Sequence, residues 1–296
     1  MTRQRSAAGA RRRRLLAVFG ITATILLVEA VGGLLTNSLA LLADAGHVLT
    51  DVAGIGLALI AIWLAARPAT TDRTFGSYRM EILAAVVNAV LLFGVGGLVL
   101  FEAWRRLFDP PEVRSGLMLT VAVVGLLANA LSLWLLREPQ SVSLNMRGAY
   151  LEVLGDLLGS IAVIVAAVVI GLTGLRAADP IASAVIGLLI LPRTWKLLRD
   201  AVDVLLEATP KGVDLEEVRR HIVETDGVVD VHDLHAWTIT SGMNVVSAHV
   251  VLAAGALPPA VLDELCECLS GDFDIEHSTF QIESHDRRRV EEASHP

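Results

Sequence analysis

The sequence predicts an α-helical membrane domain of six transmembrane helices followed by a small α+β domain. Three observations predict it. Of the 296 residues, 54% are hydrophobic, whereas soluble domains run at roughly 45–50%. The surplus lies before about residue 200, in runs of Leu, Val, Ala, Ile and Gly about as long as the roughly 20 residues that cross a bilayer as a helix. Beyond about residue 206, apolar and charged residues alternate at ordinary soluble density.

The spans fall at Leu15–Leu35, Leu39–Ala66, Tyr78–Phe108, Ser115–Leu136, Arg147–Leu172 and Pro180–Leu198. Asn37 and Ser38 mark a short first turn, and Asp109-Pro110-Pro111 and Arg137-Glu138-Pro139 stop the third and fourth spans. The domains read as a basic N-terminal tail over 1–14, a membrane domain over 15–200, a soluble domain over 206–285 and a polar tail over 286–296, expected to be disordered. Arg11 to Arg14 before an apolar run resemble a signal peptide, but no small-residue cleavage site follows, so the run is expected to stay as the first span. With the N-terminus inside, 14 Lys and Arg residues flank the inner ends of spans and 4 (Arg105, Arg106, Arg114, Arg176) flank the outer ends. The positive-inside rule then puts both termini and the soluble domain in the cytoplasm, and the chain in the inner (cytoplasmic) membrane as a multi-pass protein.

The soluble domain has its own rhythm. Asp214–Thr225 has helical spacing, with Asp214 as its cap. Val228–Thr240 and Asn244–Ala253 are β-like and joined by Ser241-Gly242, Pro258–Leu269 is helical, and Phe273–Glu283 is a last strand. The order α-β-β-α-β gives a sheet covered on one face by helices. Cys266 and Cys268 are the only cysteines. One residue apart on a helix, they point to different sides, which disfavours a disulfide between them and suits a reducing cytosol. A net charge of −8 with no zinc-finger or RNA-binding motif gives no sign of a nucleic-acid partner.

The chemistry sits inside the spans. His47 and Asp51 are four residues apart in the second span, and Glu152 and Asp156 four apart in the fifth. On a helix that spacing places both side chains on one face, about 6 Å apart along the axis. An ionisable residue in a membrane helix costs about 2.5–3.5 kcal/mol on insertion scales. Two facing pairs offer one imidazole and three carboxylates to a single point, which suits a divalent cation. The competing reading has the pairs holding helices together by hydrogen bonds. Asp44, Asn88, Asn129, Ser132 and Ser160 are also polar within spans, as hydrogen-bond partners that orient the ligands or as links between helices. Gly32, Gly33, Gly54, Gly56, Gly94, Gly96 and Gly97 read as close-packing positions. No G-x-x-x-x-G-K-[ST] motif occurs, so an ion gradient rather than ATP is the expected power source. Metal ligands must be deprotonated, so metal binding expels protons and protonation expels metal. A histidine titrating near neutrality is a natural exchange partner, which makes the site a metal–proton antiport element.

Several stretches together resemble the cation diffusion facilitator family, in its bacterial cobalt–zinc–cadmium resistance efflux branch. They are Ser38–His47, Arg73–Gly76 with Tyr78–Ala85, Asn145–Glu152 and Val231–Trp237. The resemblance runs from about residue 15 to 285. It implies six transmembrane helices, a cytoplasmic ferredoxin-like (metallochaperone-like) domain, a homodimer, and export of divalent metal in exchange for protons, with the transport site on His47, Asp51, Glu152 and Asp156. Many zinc-carrying members have histidine where Glu152 stands. The glutamate makes the donor set harder and more anionic; Zn2+ remains the first expectation, with Cd2+ and Co2+ beside it. The resemblance also implies a metal site at the dimer interface of the soluble domain on His232, His249, His277 and Glu283, while His235 reads as a packing residue. Glu138–Leu144 lacks the histidine-rich loop of many relatives. Arg79 and Glu207 are expected to pair.

Three other functions are compatible with parts of the sequence. An oxygen-rich site also accepts manganese or iron. A non-transporting membrane metal sensor would keep the soluble sites but has no use for intramembrane carboxylates. A membrane metalloenzyme would need an open metal position and a general base, and H-E-x-x-H is missing; the expectation is a transporter and no enzyme.

Overall fold

The computed structural model describes residues 2–65, 67–137, 144–240, 242–275, 277–284 and 287. Six long helices come first: α1 (Thr2–Thr36), α2 (Leu39–Ala65), α3 (Met80–Phe108), α4 (Ser115–Leu136), α5 (Leu144–Thr173) and α6 (Ala178–Leu205). Then follow α7 (Leu215–Glu224), β1 (Val228–Thr240), β2 (Met243–Leu252), α8 (Pro258–Phe273) and β3 (His277–Glu283). By contact the chain divides into two compact units, Met1–Leu57 with Val87–Leu198, and Ala58–Val86 with Arg199–Pro296.

The first unit is a helical membrane bundle. Among the described residues, α3, α4 and α6 and the segments Ala17–Thr36 and Tyr150–Thr173 are long and apolar enough to cross a bilayer. Only 28–44% of each such span is buried, and Leu98, Phe101, Trp104 and Leu172 are more than 60% exposed. Apolar side chains turned outward on this scale make sense facing lipid. Inside, Leu41 and Ala43 of α2, Leu92 and Val99 of α3, Met118 and Val121 of α4, Val163 and Ala167 of α5, and Ile186 and Ile190 of α6 form one core. Close approach uses glycine where expected at four positions. A Cβ on Gly32 would lie 2.8 Å from Val121, on Gly33 2.8 Å from Leu42, on Gly54 2.7 Å from Asn88 and on Gly96 3.1 Å from Leu191. Gly56, Gly94 and Gly97 have nothing within 4 Å, so the packing reading fails there.

The start of α2 is fixed from a distant part of the chain. Asn37 takes a left-handed φ of 59° and turns the chain after α1. Ser38 then caps α2, its Oγ accepting from Leu41 N at 3.2 Å. Asp179, fully buried in the first turn of α6, accepts from Ser38 Oγ at 2.5 Å, Leu39 N at 2.8 Å and Ala40 N at 3.2 Å. A carboxylate at a helix N-terminus satisfies orphan N–H groups and meets the positive end of the helix dipole.

The second unit holds the small domain. Its sheet has the order β1-β2-β3, antiparallel between β1 and β2 and parallel between β2 and β3. The parallel pair needs a crossover, and α8 supplies it. Val218 and Ile222 of α7 and Val261, Leu265 and Leu269 of α8 pack on Val231, Val246, Ala248 and Val250 of the sheet. Asp214 caps α7 by accepting from Glu216 N at 2.9 Å and Glu217 N at 3.4 Å. The expected order of elements holds, with two shifts. Phe273 ends α8 rather than opening β3, because Asp274 adopts a left-handed φ of 54° and closes the helix. At the other terminus the helix of the first span begins at Thr2, so the 2–14 part of the expected basic tail is a continuation of α1. The 286–296 tail lies outside the described residues apart from Arg287.

Replacing Asp179 by alanine is expected to lower stability by about 1–2 kcal/mol, as loss of a strong N-cap does, read as a lower midpoint of thermal unfolding in detergent. Asp179→Asn, which keeps an acceptor, should lose less. An unchanged midpoint in Asp179→Ala would show that α2 is anchored elsewhere.

Candidate metal centre

In the first unit, α2 and α5 bring His47, Asp51 and Asp156 together, with one ligand atom from each within 4.8 Å of the others. His47 Nε2 lies 3.5 Å from Asp51 Oδ2 and 3.8 Å from Asp156 Oδ1. A tetrahedral ion with N and O ligands at about 2.0–2.2 Å sets neighbouring ligand atoms roughly 3.3–3.6 Å apart. His47 is therefore spaced from each aspartate almost as a bound cation would space them, and the two aspartates lie within 4.8 Å of each other. All three are also largely buried, at 12%, 17% and 6% side-chain exposure. His47 Nδ1 and Asp156 Oδ1 have no hydrogen-bond partner among the described residues.

Glu152 adjoins this trio through a side-chain hydrogen bond with Asp51, but its Oε2 is 3.6 Å from Arg193 Nη2 of α6, and its side chain is 35% exposed. The expected four-ligand set is thus three converged groups and a fourth shared between Asp51 and the Arg193 guanidinium.

The polar residues expected nearby divide. Asp44 is buried at 2% exposure and reaches toward α5, where a Cβ on Gly159 would meet its Oδ1 at 2.9 Å. Asn129 donates to Ser160 Oγ at 3.4 Å, an α4–α5 link of the helix-joining kind. Asn88 sits against Gly54, nearly a turn beyond Asp51 on α2, and Ser132 is fully buried. One carboxylate was not anticipated. Glu29 of α1 is 1% exposed, within electrostatic reach of Asp44 and Asp156, and its Oε1 lies 2.6 Å from where a Cβ on Gly125 would stand. Its signal was present in the sequence: an ionisable residue in mid-span, subject to the same cost as the others.

In the second unit, His232, His249 and Glu283 form another cluster within 4.8 Å. His232 and His249 face each other across the β1–β2 ladder, and Glu283 comes from β3. His249 Nδ1 lies 3.1 Å from Glu283 Oε1, and His232 Nε2 3.5 Å from Glu283 Oε2. Their neighbours Val231, Ala248, Val250 and Ile282 point into the core, so by alternation the three lie on the sheet face turned away from the helices. His277 does not join them. It opens β3 opposite Val245, six residues before Glu283, and stacks edge-on against Phe75 at 5.6 Å. His235 is not a packing residue; its side chain is 64% exposed and 2.9 Å from Asp233 Oδ1. Asp233 has a left-handed φ of 49° at a register shift in β1, which turns its carboxylate to within 3.6 Å of His249 Nε2. Arg79 and Glu207 pair at 2.7 Å as expected, but both are exposed and such a pair stabilises little.

A third cluster joins His221 of α7 to Cys268 and Asp272 of α8. Both cysteines are free. Burial, and then the neighbouring Asp272 carboxylate, holds the Cys268 thiol above its ordinary pKa.

A family model of the cation efflux transmembrane domain matches residues 15–206, and one of the cation efflux protein cytoplasmic domain matches residues 210–285. The chain is 48% identical over 288 residues to the metal cation efflux system protein CzcD of Cupriavidus metallidurans, covering 97% of this chain and 91% of that one. It is 45% identical over 273 residues to the zinc transporter ZitB of Escherichia coli, covering 92% and 87%. It is 41% identical over 283 residues to a cadmium, cobalt and zinc/H(+)-K(+) antiporter of Bacillus velezensis, covering 94% and 90%.

The thiol carries a test of its surroundings. Only the thiolate alkylates, so in a Cys266→Ser background Asp272→Asn should speed iodoacetamide labelling of Cys268 and move the pH midpoint of the rate downward. An unchanged profile would show that Asp272 does not act on the thiol.

Proposed function

The chain belongs to the cation efflux family, and from that premise we propose that it is a secondary active transporter exporting divalent cations, zinc first with cadmium and cobalt beside it, in exchange for protons. The observation that carries this reading is the convergence of His47, Asp51 and Asp156 from two membrane helices, within 4.8 Å. Such groups hold a cation when deprotonated and release it when protonated, so metal and protons compete for one set of atoms. Alternating access at a site between helices converts that competition into exchange. Glu152 is the fourth ligand in this reading. It joins by turning from Arg193 toward the ion, and Arg193 offsets its charge when the ion is gone. Asp44 and Glu29 lie behind the ligands as further carboxylates.

The relatives' names support the choice of ions, two of them naming zinc and one also naming cadmium and cobalt, with protons and potassium as its exchanged ions. The inner flanks rich in Arg and Lys support cytoplasmic termini in a bacterial inner membrane. The match of residues 210–285 to the cytoplasmic domain of such proteins supports a homodimer. In it, a metal at His232, His249 and Glu283 would tighten the soluble domain and bias transport, with His277 outside the ligand set of its own chain. This is transport and not catalysis, with the metal as cargo.

Inverted vesicles carrying the purified protein and an internal pH dye are expected to take up zinc while releasing protons. Asp51→Ala and Asp156→Ala should each abolish uptake, while Glu152→Ala should leave a measurable remainder. Transport surviving both aspartate substitutions would sink the site, and zinc uptake without opposing proton flux would sink antiport. Glu152→His should raise the preference for zinc over cadmium and cobalt, since it exchanges an oxygen donor for nitrogen; an unaltered preference would remove Glu152 from selectivity.

A further inference from the structure

We propose that His221, Cys268 and Asp272 form a further binding site for a borderline-soft divalent cation, zinc or cadmium, on the helix layer of the soluble domain. The geometry is specific. Cys268 Sγ lies 3.5 Å from His221 Nδ1 and 3.8 Å from Asp272 Oδ2, and His221 Nδ1 lies 3.6 Å from Asp272 Oδ2. A tetrahedral zinc with sulfur at about 2.3 Å and N or O at about 2.0–2.2 Å sets S–N and S–O edges at roughly 3.6 Å and the N–O edge at roughly 3.4 Å. All three observed separations fall within about 0.2 Å of that triangle.

The fold supports the triangle at each corner. Cys268 and Asp272 are four residues apart on α8 and share a face. His221 comes from the last turn of α7, and α7 and α8 pack together over the sheet. Its ring stands edge-on to Phe273 at 5.1 Å, which holds it turned toward the sulfur. Side-chain exposures of 29% for His221 and 60% for Asp272 leave a path for the ion. Three protein ligands leave a fourth position for water or for Glu264, one turn before Cys268 on α8.

The donor set differs from the other two. A thiolate favours zinc and cadmium over manganese and magnesium more strongly than imidazole and carboxylate alone do. The site is also on the opposite side of the sheet from His232 and His249. A bound ion would staple α7 to α8 and stabilise the domain by mass action. None of this depends on the transport reading, since the two sites share no residue.

Cadmium titration of the purified full-length protein tests it, read by the ultraviolet thiolate-to-cadmium charge-transfer band. Neither the membrane trio nor the sheet-face trio contains sulfur, so the band reports a cysteine. It is expected in the wild type and in Cys266→Ser, and absent in Cys268→Ser. Asp272→Asn and His221→Ala should each weaken cadmium binding by at least the roughly tenfold that loss of even an outer partner costs. Asp272→Asn alters an exposed side chain and leaves the core intact, so its result stands even if another variant folds poorly. A band that persists in Cys268→Ser, that is missing in Cys266→Ser, or whose midpoint ignores both Asp272→Asn and His221→Ala would overturn the proposal.

Discussion

Carboxylates buried among membrane helices constrain everything else in this protein. Each ionisable group in a span costs about 2.5–3.5 kcal/mol to insert, and Glu29, Asp44, Asp51, Glu152 and Asp156 all lie within helices α1, α2 and α5. Negative charge at that density does not persist without a counter-charge. Protons, a divalent cation or Arg193 must supply it, and the first two are exchangeable. The surrounding structure is arranged to hold the carboxylates in reach of one another. Asp179 fixes the start of α2, and Gly125 and Gly159 leave the space that Glu29 and Asp44 occupy. The exchange of metal for protons is, in this view, a consequence of where the acidic residues were put.

The three clusters form a chemical series. The membrane trio offers one nitrogen and two carboxylates, the sheet-face trio two nitrogens and one carboxylate, and the helix-layer trio nitrogen, sulfur and oxygen. Softness rises along that order. Cargo must leave again, which favours a harder, weaker set. A retained ion has no such limit, and both retained sites proposed here lie in the soluble domain.

Most of the fold could be read from periodicity and punctuation. The α2 start at Leu39, the α4 limits at Ser115 and Leu136, and the Asp214 cap all follow from local signals. So did the two i,i+4 pairs proposed for the membrane site, because that spacing is a property of one helix. What escaped depended on partners distant in sequence. Nothing local marks Asp179 as the cap of a helix 140 residues earlier. The edge stacking of His277 on Phe75 is equally remote. Asp233 was hidden by a register shift that turns its side chain toward His249. Glu152 was placed in the ligand set by spacing, whereas its side chain also answers to Arg193 on α6. Cys268 and Asp272 carried the same i,i+4 signal as the membrane pairs, but their third ligand comes from α7, which only packing brings near. Glu29 is different, since its mid-span charge was visible and has no i,i+4 companion to draw attention to it.

Zinc K-edge X-ray absorption on the full-length protein reads the ligands of the membrane trio directly. Substituting His232, His249 and Cys268 leaves the membrane trio as the remaining cluster among the described residues. Zinc is expected to be bound by one imidazole with oxygen donors and no sulfur, and to be lost when Asp51 and Asp156 are both replaced by alanine. Zinc retained in the same coordination after that double replacement would contradict it.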